Sequence, residues 1–94
     1  MPTSFYVIVT PAFERSVRRL TRSERQLPVV LNELVAILRE DPYNRSQAQS
    51  IKKLTNVKSG VGQWRIRSGD FRLRYDIVNQ DVILPTIRLR RDAY

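Results

Sequence analysis

Residues 64–75 read WRIRSGDFRLRY. Arg65, Arg67, Arg72 and Arg74 alternate with Trp64, Ile66, Phe71, Leu73 and Tyr75 on either side of Ser68-Gly69-Asp70. A period of two marks strands with one covered and one open face, and Ser-Gly-Asp supplies the turn between them. The stretch predicts a β-hairpin whose apolar side meets a core and whose other side is basic. The pattern continues downstream. Strands are expected over Gln63–Arg67, Phe71–Val78 and Val82–Arg90, with Asn79-Gln80-Asp81 as the second turn. Three such strands in succession form an antiparallel meander.

Alternation sorts the two faces. Trp64, Ile66, Phe71, Leu73, Tyr75, Ile77, Ile83, Ile87 and Leu89 make the apolar set, assigned to the core. The opposite set is Arg65, Arg67, Arg72, Arg74, Arg88 and Arg90, with Asp76 as the acid among the alternating positions. Like charges on neighbouring strands repel, so stability alone favours Thr or mixed signs there. Two readings are open, a solvated face or a surface that binds anions. The second is preferred because ordinary solvated faces mix Glu with Lys. Trp64, Phe71 and Tyr75 read as core rather than base-stacking platforms. Pro85 lacks an N–H, so the third strand is expected at a sheet edge or bulged at that residue.

Upstream, Phe5–Val9 is a β-branched and aromatic run, expected to be a strand buried on both faces. Thr10 then reads as a helix N-cap with Pro11 at the first helical position. Phe13, Val17 and Leu20 follow at helical spacing, with Arg15, Arg18, Arg19 and Arg22 on the wet side. Those arginines, with Arg25, read as a contact for nucleic acid or a protein partner, or as a plain solvated face. Ser23-Glu24-Arg25-Gln26 matches a capping box. The second helix turns Leu27, Leu31, Leu34, Val35 and Leu38 inward and ends before Pro42. Residues 43–62 are polar, with Ile51 and Leu54 as anchors and Ile51–Leu54 as a short turn of structure. The order β-α-α-β-β-β predicts a two-layer α+β domain, two helices packed on a mostly antiparallel twisted sheet.

The totals agree. The chain has 94 residues, 41% of them hydrophobic, which fits a single domain over 1–94 with one core. Seventeen Lys and Arg against nine acids give a net charge of +8, and all but Lys52, Lys53 and Lys58 of those cations are Arg. The guanidinium fork fits phosphate oxygens two at a time, which points to nucleic acid or an acidic protein. There is no Cys and no His, which removes disulfides, Cys-ligated zinc and the commonest general base. Phe5–Val9 is too short for a signal peptide or a membrane span, so a cytoplasmic protein without a membrane partner is expected.

The ordered pieces TPAFERSVRRL (10–20), LREDP (38–42), KKL (52–54), WRIRSGDFRLRYDI (64–77) and RLRRDAY (88–94) resemble the RelE/ParE superfamily of toxins from toxin–antitoxin pairs. The resemblance spans nearly the whole chain. It implies a compact α+β domain with two helices on one side of the sheet. For the RelE branch it implies a type II toxin that cleaves messenger RNA in the ribosomal decoding site. The chemistry there needs no metal or other cofactor: the ribose 2′-hydroxyl attacks the adjacent phosphate. The partners implied are a cognate antitoxin, messenger RNA and the ribosome. ParE-branch relatives instead inhibit DNA gyrase and lack the basic catalytic cluster, and that is the alternative function.

Carried over on this resemblance, the catalytic positions are Arg65, Arg67, Arg72, Arg90 and Tyr94. Each holds a chemically suitable residue, which favours the nuclease branch. Leu89 departs from the pattern, because several relatives carry His or Lys there. Lys52, Lys53, Arg74, Arg88 and Arg91 are assigned to RNA binding, with Lys52 and Lys53 read as phosphate-positioning or solvated. The general base stays open. Tyr94 qualifies if surrounding guanidinium groups favour its phenolate, or it stacks on a nucleobase. Arg72 and Arg90 are best placed to brace the phosphate.

Overall fold

The computed structural model describes residues 4–89. Strand β1 (Tyr6–Val9) leads into helix α1 (Pro11–Thr21) and helix α2 (Leu27–Glu40). Strands β2 (Ile51–Lys53), β3 (Trp64–Ser68), β4 (Phe71–Val78) and β5 (Asp81–Leu89) follow. They join in one sheet, ordered β1-β5-β4-β3-β2. β1 runs parallel to β5, and the other neighbours are antiparallel. Both helices pack on one face, giving the expected α+β architecture. No helix among the described residues is long and apolar enough to cross a membrane.

The core lies between the layers. Phe13 and Leu20 come from α1, and Leu27, Leu34 and Leu38 from α2. Ile66, Leu73, Tyr75, Val82, Leu84 and Ile87 come from the sheet. Leu27, Leu38, Leu73 and Leu84 are wholly buried, and each such side chain contributes ~1.5–3 kcal/mol relative to exposure. The Tyr75 hydroxyl enters this core because it has a partner, donating to the Pro42 carbonyl at 2.7 Å.

Thr10 caps α1 as its sequence predicts. Its hydroxyl oxygen accepts from the Phe13 amide at 3.1 Å and donates to the carbonyl of Leu84 at 3.0 Å. That second bond lands beside an irregularity in β5. Arg74 pairs with Thr86 and Asp76 with Ile83, so Leu84 and Pro85 together stand opposite the single residue Tyr75. This is a β-bulge, and a residue without an N–H belongs there.

The bulge corrects one expectation. It shifts the alternation of β5 by one residue, so Val82 and Leu84 are buried while Ile83 falls on the open face beside Asp76. Three more corrections concern element limits. β1 is not covered on both sides, because it is an edge strand, with Tyr6 68% and Ile8 42% exposed. Residues 51–53 are not an isolated turn but the opposite edge strand, paired with β3. Ser23 does not cap α2: its hydroxyl donates back to the Leu20 carbonyl. Instead α2 starts at Leu27 with Pro28 in its first turn, where a missing N–H removes only an orphan donor.

Candidate functional site

The meander builds the site. Register aligns Lys52, Arg65, Arg74 and Thr86 across four strands, and Arg67, Arg72 and Arg88 across three. Partnered residues share a face of a sheet, so both rows stand on the side away from the helices. The tight turn at Gly69-Asp70, with Gly69 at a φ of 56°, brings Arg67 and Arg72 opposite one another. Facing like charges destabilise a sheet, and an anion placed between them would offset that repulsion.

Lys52, Lys53, Arg65, Arg72, Arg74 and Arg88 line a groove of about 610 Å³, together with Leu54, Thr55, Val57 and Thr86. That volume lies within the ~300–1,000 Å³ usual for ligand clefts. Of the assigned residues, Arg67 shares the face but does not line the groove. Lys53 stands at the rim, with its ammonium 5.6 Å from the centre of the Trp64 ring. Arg90, Arg91 and Tyr94 lie outside the described residues.

Arg72 is the most deeply set of the described cations, at 8% exposure. One terminal nitrogen donates to the carbonyl of Gly69 at 3.2 Å and of Phe71 at 3.4 Å. Among the described residues these neutral acceptors are its partners, and they hold the guanidinium in place without matching its charge. A buried charge lacking a counter-charge is costly. A phosphate entering the groove supplies that counter-charge.

Arg74 is differently employed. Its Nε and a terminal nitrogen both donate to the Gly62 carbonyl, at 3.0 and 2.8 Å. Next along β4, on the same face, Asp76 is 2% exposed. Its carboxylate accepts the amides of Gly60, Gly62 and Gln63, each at 3.0 Å. The acid that stood out among the arginines is thus occupied by backbone. It fastens the segment between β2 and β3 to the open face of the sheet.

Sequence reasoning did not assign Leu54, Thr55 and Val57 to the site. They carry no charge and sit in a stretch without periodicity. The pair of glycines at 60 and 62 was the available signal, since both adopt φ near +97°, a conformation that favours glycine.

Comparison with protein-family models gives no match, and comparison with curated proteins gives none either. Among solved structures, a chain of the RelBE2 toxin–antitoxin complex from Mycobacterium tuberculosis shares the fold. Its TM-score is 0.63 at 22% identity, over 93% of this chain and 99% of that one. The fold is the one that the RelE/ParE resemblance implies.

Proposed function

We propose that this chain is the toxin of a type II toxin–antitoxin pair and cleaves ribosome-bound messenger RNA. The observation that carries the reading is Arg72, buried in the row between Arg67 and Arg88, whose partners among the described residues are backbone carbonyls. The reaction is an internal transfer at phosphorus. The ribose 2′-oxygen bonds to phosphorus, the bond to the 5′-oxygen breaks, and a cyclic phosphate and a 5′-hydroxyl result. The 2′-hydroxyl gives up a proton and the leaving oxygen takes one. Charge on the non-bridging oxygens rises meanwhile, and fixed guanidinium groups stabilise it.

Arg72 and Arg65 brace the phosphate in this scheme, Arg88 and Lys52 position the flanking backbone, and Tyr94 or a neighbouring arginine mediates the proton transfers. Such weak acid–base groups make the enzyme depend on its partner. The ribosome bends the messenger into line, and that alignment supplies much of the rate. A cognate antitoxin with acidic character meets the net charge of +8.

The test is Arg72→Ala with programmed ribosomes. Loss of one preorganised donor of this kind lowers cleavage ~10²–10³-fold. Unchanged cleavage removes Arg72 from the reaction. Absence of cleavage by the unaltered chain removes the nuclease reading altogether.

A further inference from the structure

The groove has two chemically distinct sides. Its floor is cationic, formed by Lys52, Arg65, Arg72 and Arg88. Its wall is the start of the β2–β3 segment, lined by two aliphatic residues and one hydroxyl-bearing residue, Leu54, Val57 and Thr55. A nucleotide divides the same way, into a charged phosphate and a flat base with a polar edge. A phosphate held on the arginines leaves its base beside the wall.

This wall is anchored at several points. The Leu54 amide donates to the Gln63 carbonyl at 2.7 Å, and the Gln63 side-chain amide donates to the Val57 carbonyl at 2.9 Å. The far end of the segment is held by the three amides on Asp76 and by Arg74 on the Gly62 carbonyl. Asp76 does not line the groove. It nonetheless engages the segment at three backbone points while itself buried in the sheet face. A segment without secondary structure needs such outside anchors to keep one shape.

We infer that residues 54–57 form a nucleobase subsite for single-stranded RNA, and that Asp76 is the positioning residue that holds this wall against the phosphate-binding floor. The inference rests on the reading of the groove as an RNA site. It adds that the protein senses the base as well as the backbone, through apolar packing and a hydroxyl rather than through the arginines. Unstacked bases in single strands are open to such contacts.

The experiment uses the full chain and two fluorescent probes at one fixed salt concentration. One is a 2′-O-methyl RNA tetranucleotide, which cannot be cleaved. The other is an abasic ribose-phosphate oligomer of equal length and charge. Anisotropy is expected to show the unaltered chain binding the first at least tenfold more tightly. Asp76→Asn places an amide donor against backbone N–H groups. It is expected to bring the two affinities within about twofold of each other, chiefly by weakening the base-bearing probe. Exchange of the Gly60, Gly62 and Gln63 amides speeds up in the same variant.

The double variant Thr55→Ala, Val57→Ala alters the wall and leaves the anchors in place. It is expected to lose the same preference, and it decides the matter alone if Asp76→Asn does not fold. Equal affinity of the unaltered chain for both probes overturns the subsite and leaves the phosphate reading intact. An Asp76→Asn protein that folds and keeps the tenfold preference overturns the role of Asp76. If the unaltered chain binds neither probe, the RNA reading fails and this inference fails with it.

Discussion

Gly60 and Gly62 offer a controlled test of how the groove wall is built. Both adopt left-handed φ values, +97° and +98°. A side chain at either carries the cost of a sparsely populated backbone conformation, ~1–3 kcal/mol. Their surroundings differ. A Cβ at Gly60 meets nothing within 4 Å, whereas one at Gly62 lies 2.7 Å from the Arg74 Cβ and 3.2 Å from the Tyr75 amide nitrogen. Those atoms belong to the frame of β4 and cannot swing aside. Relief requires the segment to lift, which strains the Asp76 and Arg74 hydrogen bonds. Overpacking of this kind adds ~1–3 kcal/mol. Gly62→Ala is therefore expected to destabilise by ~2–6 kcal/mol in total, a large part of the ~5–14 kcal/mol available to a domain of this size. Gly60→Ala stays at the strain value alone. Urea unfolding of the two variants at fixed pH, compared at equal m-values, measures the difference. Equal destabilisation refutes the reasoning, because it means that backbone conformation alone governs both sites and the close approach to β4 contributes nothing.

Two other predictions concern tyrosines. Burial pushes the Tyr75 phenol well above its usual range, with the Asp41 charge adding to the effect. The folded state therefore favours the protonated phenol. That contribution is fully present below the unfolded pKa of ~10 and is lost as pH rises past it. Tyr75→Phe flattens the alkaline limb of stability against pH. It also costs ~1–3 kcal/mol at neutral pH by leaving the Pro42 carbonyl unpartnered, and an unchanged alkaline limb contradicts the assignment. Tyr94→Phe is expected to slow messenger cleavage by well over ~10-fold, the range of a lost acid–base group, while ribosome binding in a pelleting assay changes less than twofold. A parallel fall in both makes Tyr94 a binding residue.

The hairpin at 64–75 was legible because strand alternation is local and strong, and β1, α1 and α2 were legible from their own apolar run, helical spacing and the Thr10 cap. What failed was extrapolation through irregularity. A strict period of two carried across Pro85 places Ile83 inside, although Pro85 itself foretold the bulge. The run Phe5–Val9 looked doubly buried because composition cannot tell a central strand from an edge strand that keeps one apolar face. β2 escaped notice since three residues are too few to show a period.

The basic groove was legible as a set of positions but not as a cavity. Its wall depends on Asp76 reaching amides 13 to 16 residues upstream. Backbone donors leave no mark in a sequence beyond the glycines that let them converge. The different employments of Arg72 and Arg74 were likewise hidden, since alternation treats them alike.

The parallel pairing of β1 with β5 has a consequence for how the protein is made. Every described cation lining the groove comes from residues 52–88, and strands β3, β4 and β5, which carry Arg65, Arg72, Arg74 and Arg88, are joined by tight turns. Tyr6–Val9 pairs with Asp81–Leu84, so this apolar strand leaves the ribosome early and has no partner until nearly the whole chain exists. Closing so long a loop is slow compared with forming hairpins. The basic meander is therefore the quickly assembled part of the molecule, and the docking of β1, with the Thr10 hydroxyl locking onto the bulge, completes folding. During synthesis the hazard lies in that waiting strand, which is where a chaperone holding the nascent chain would act.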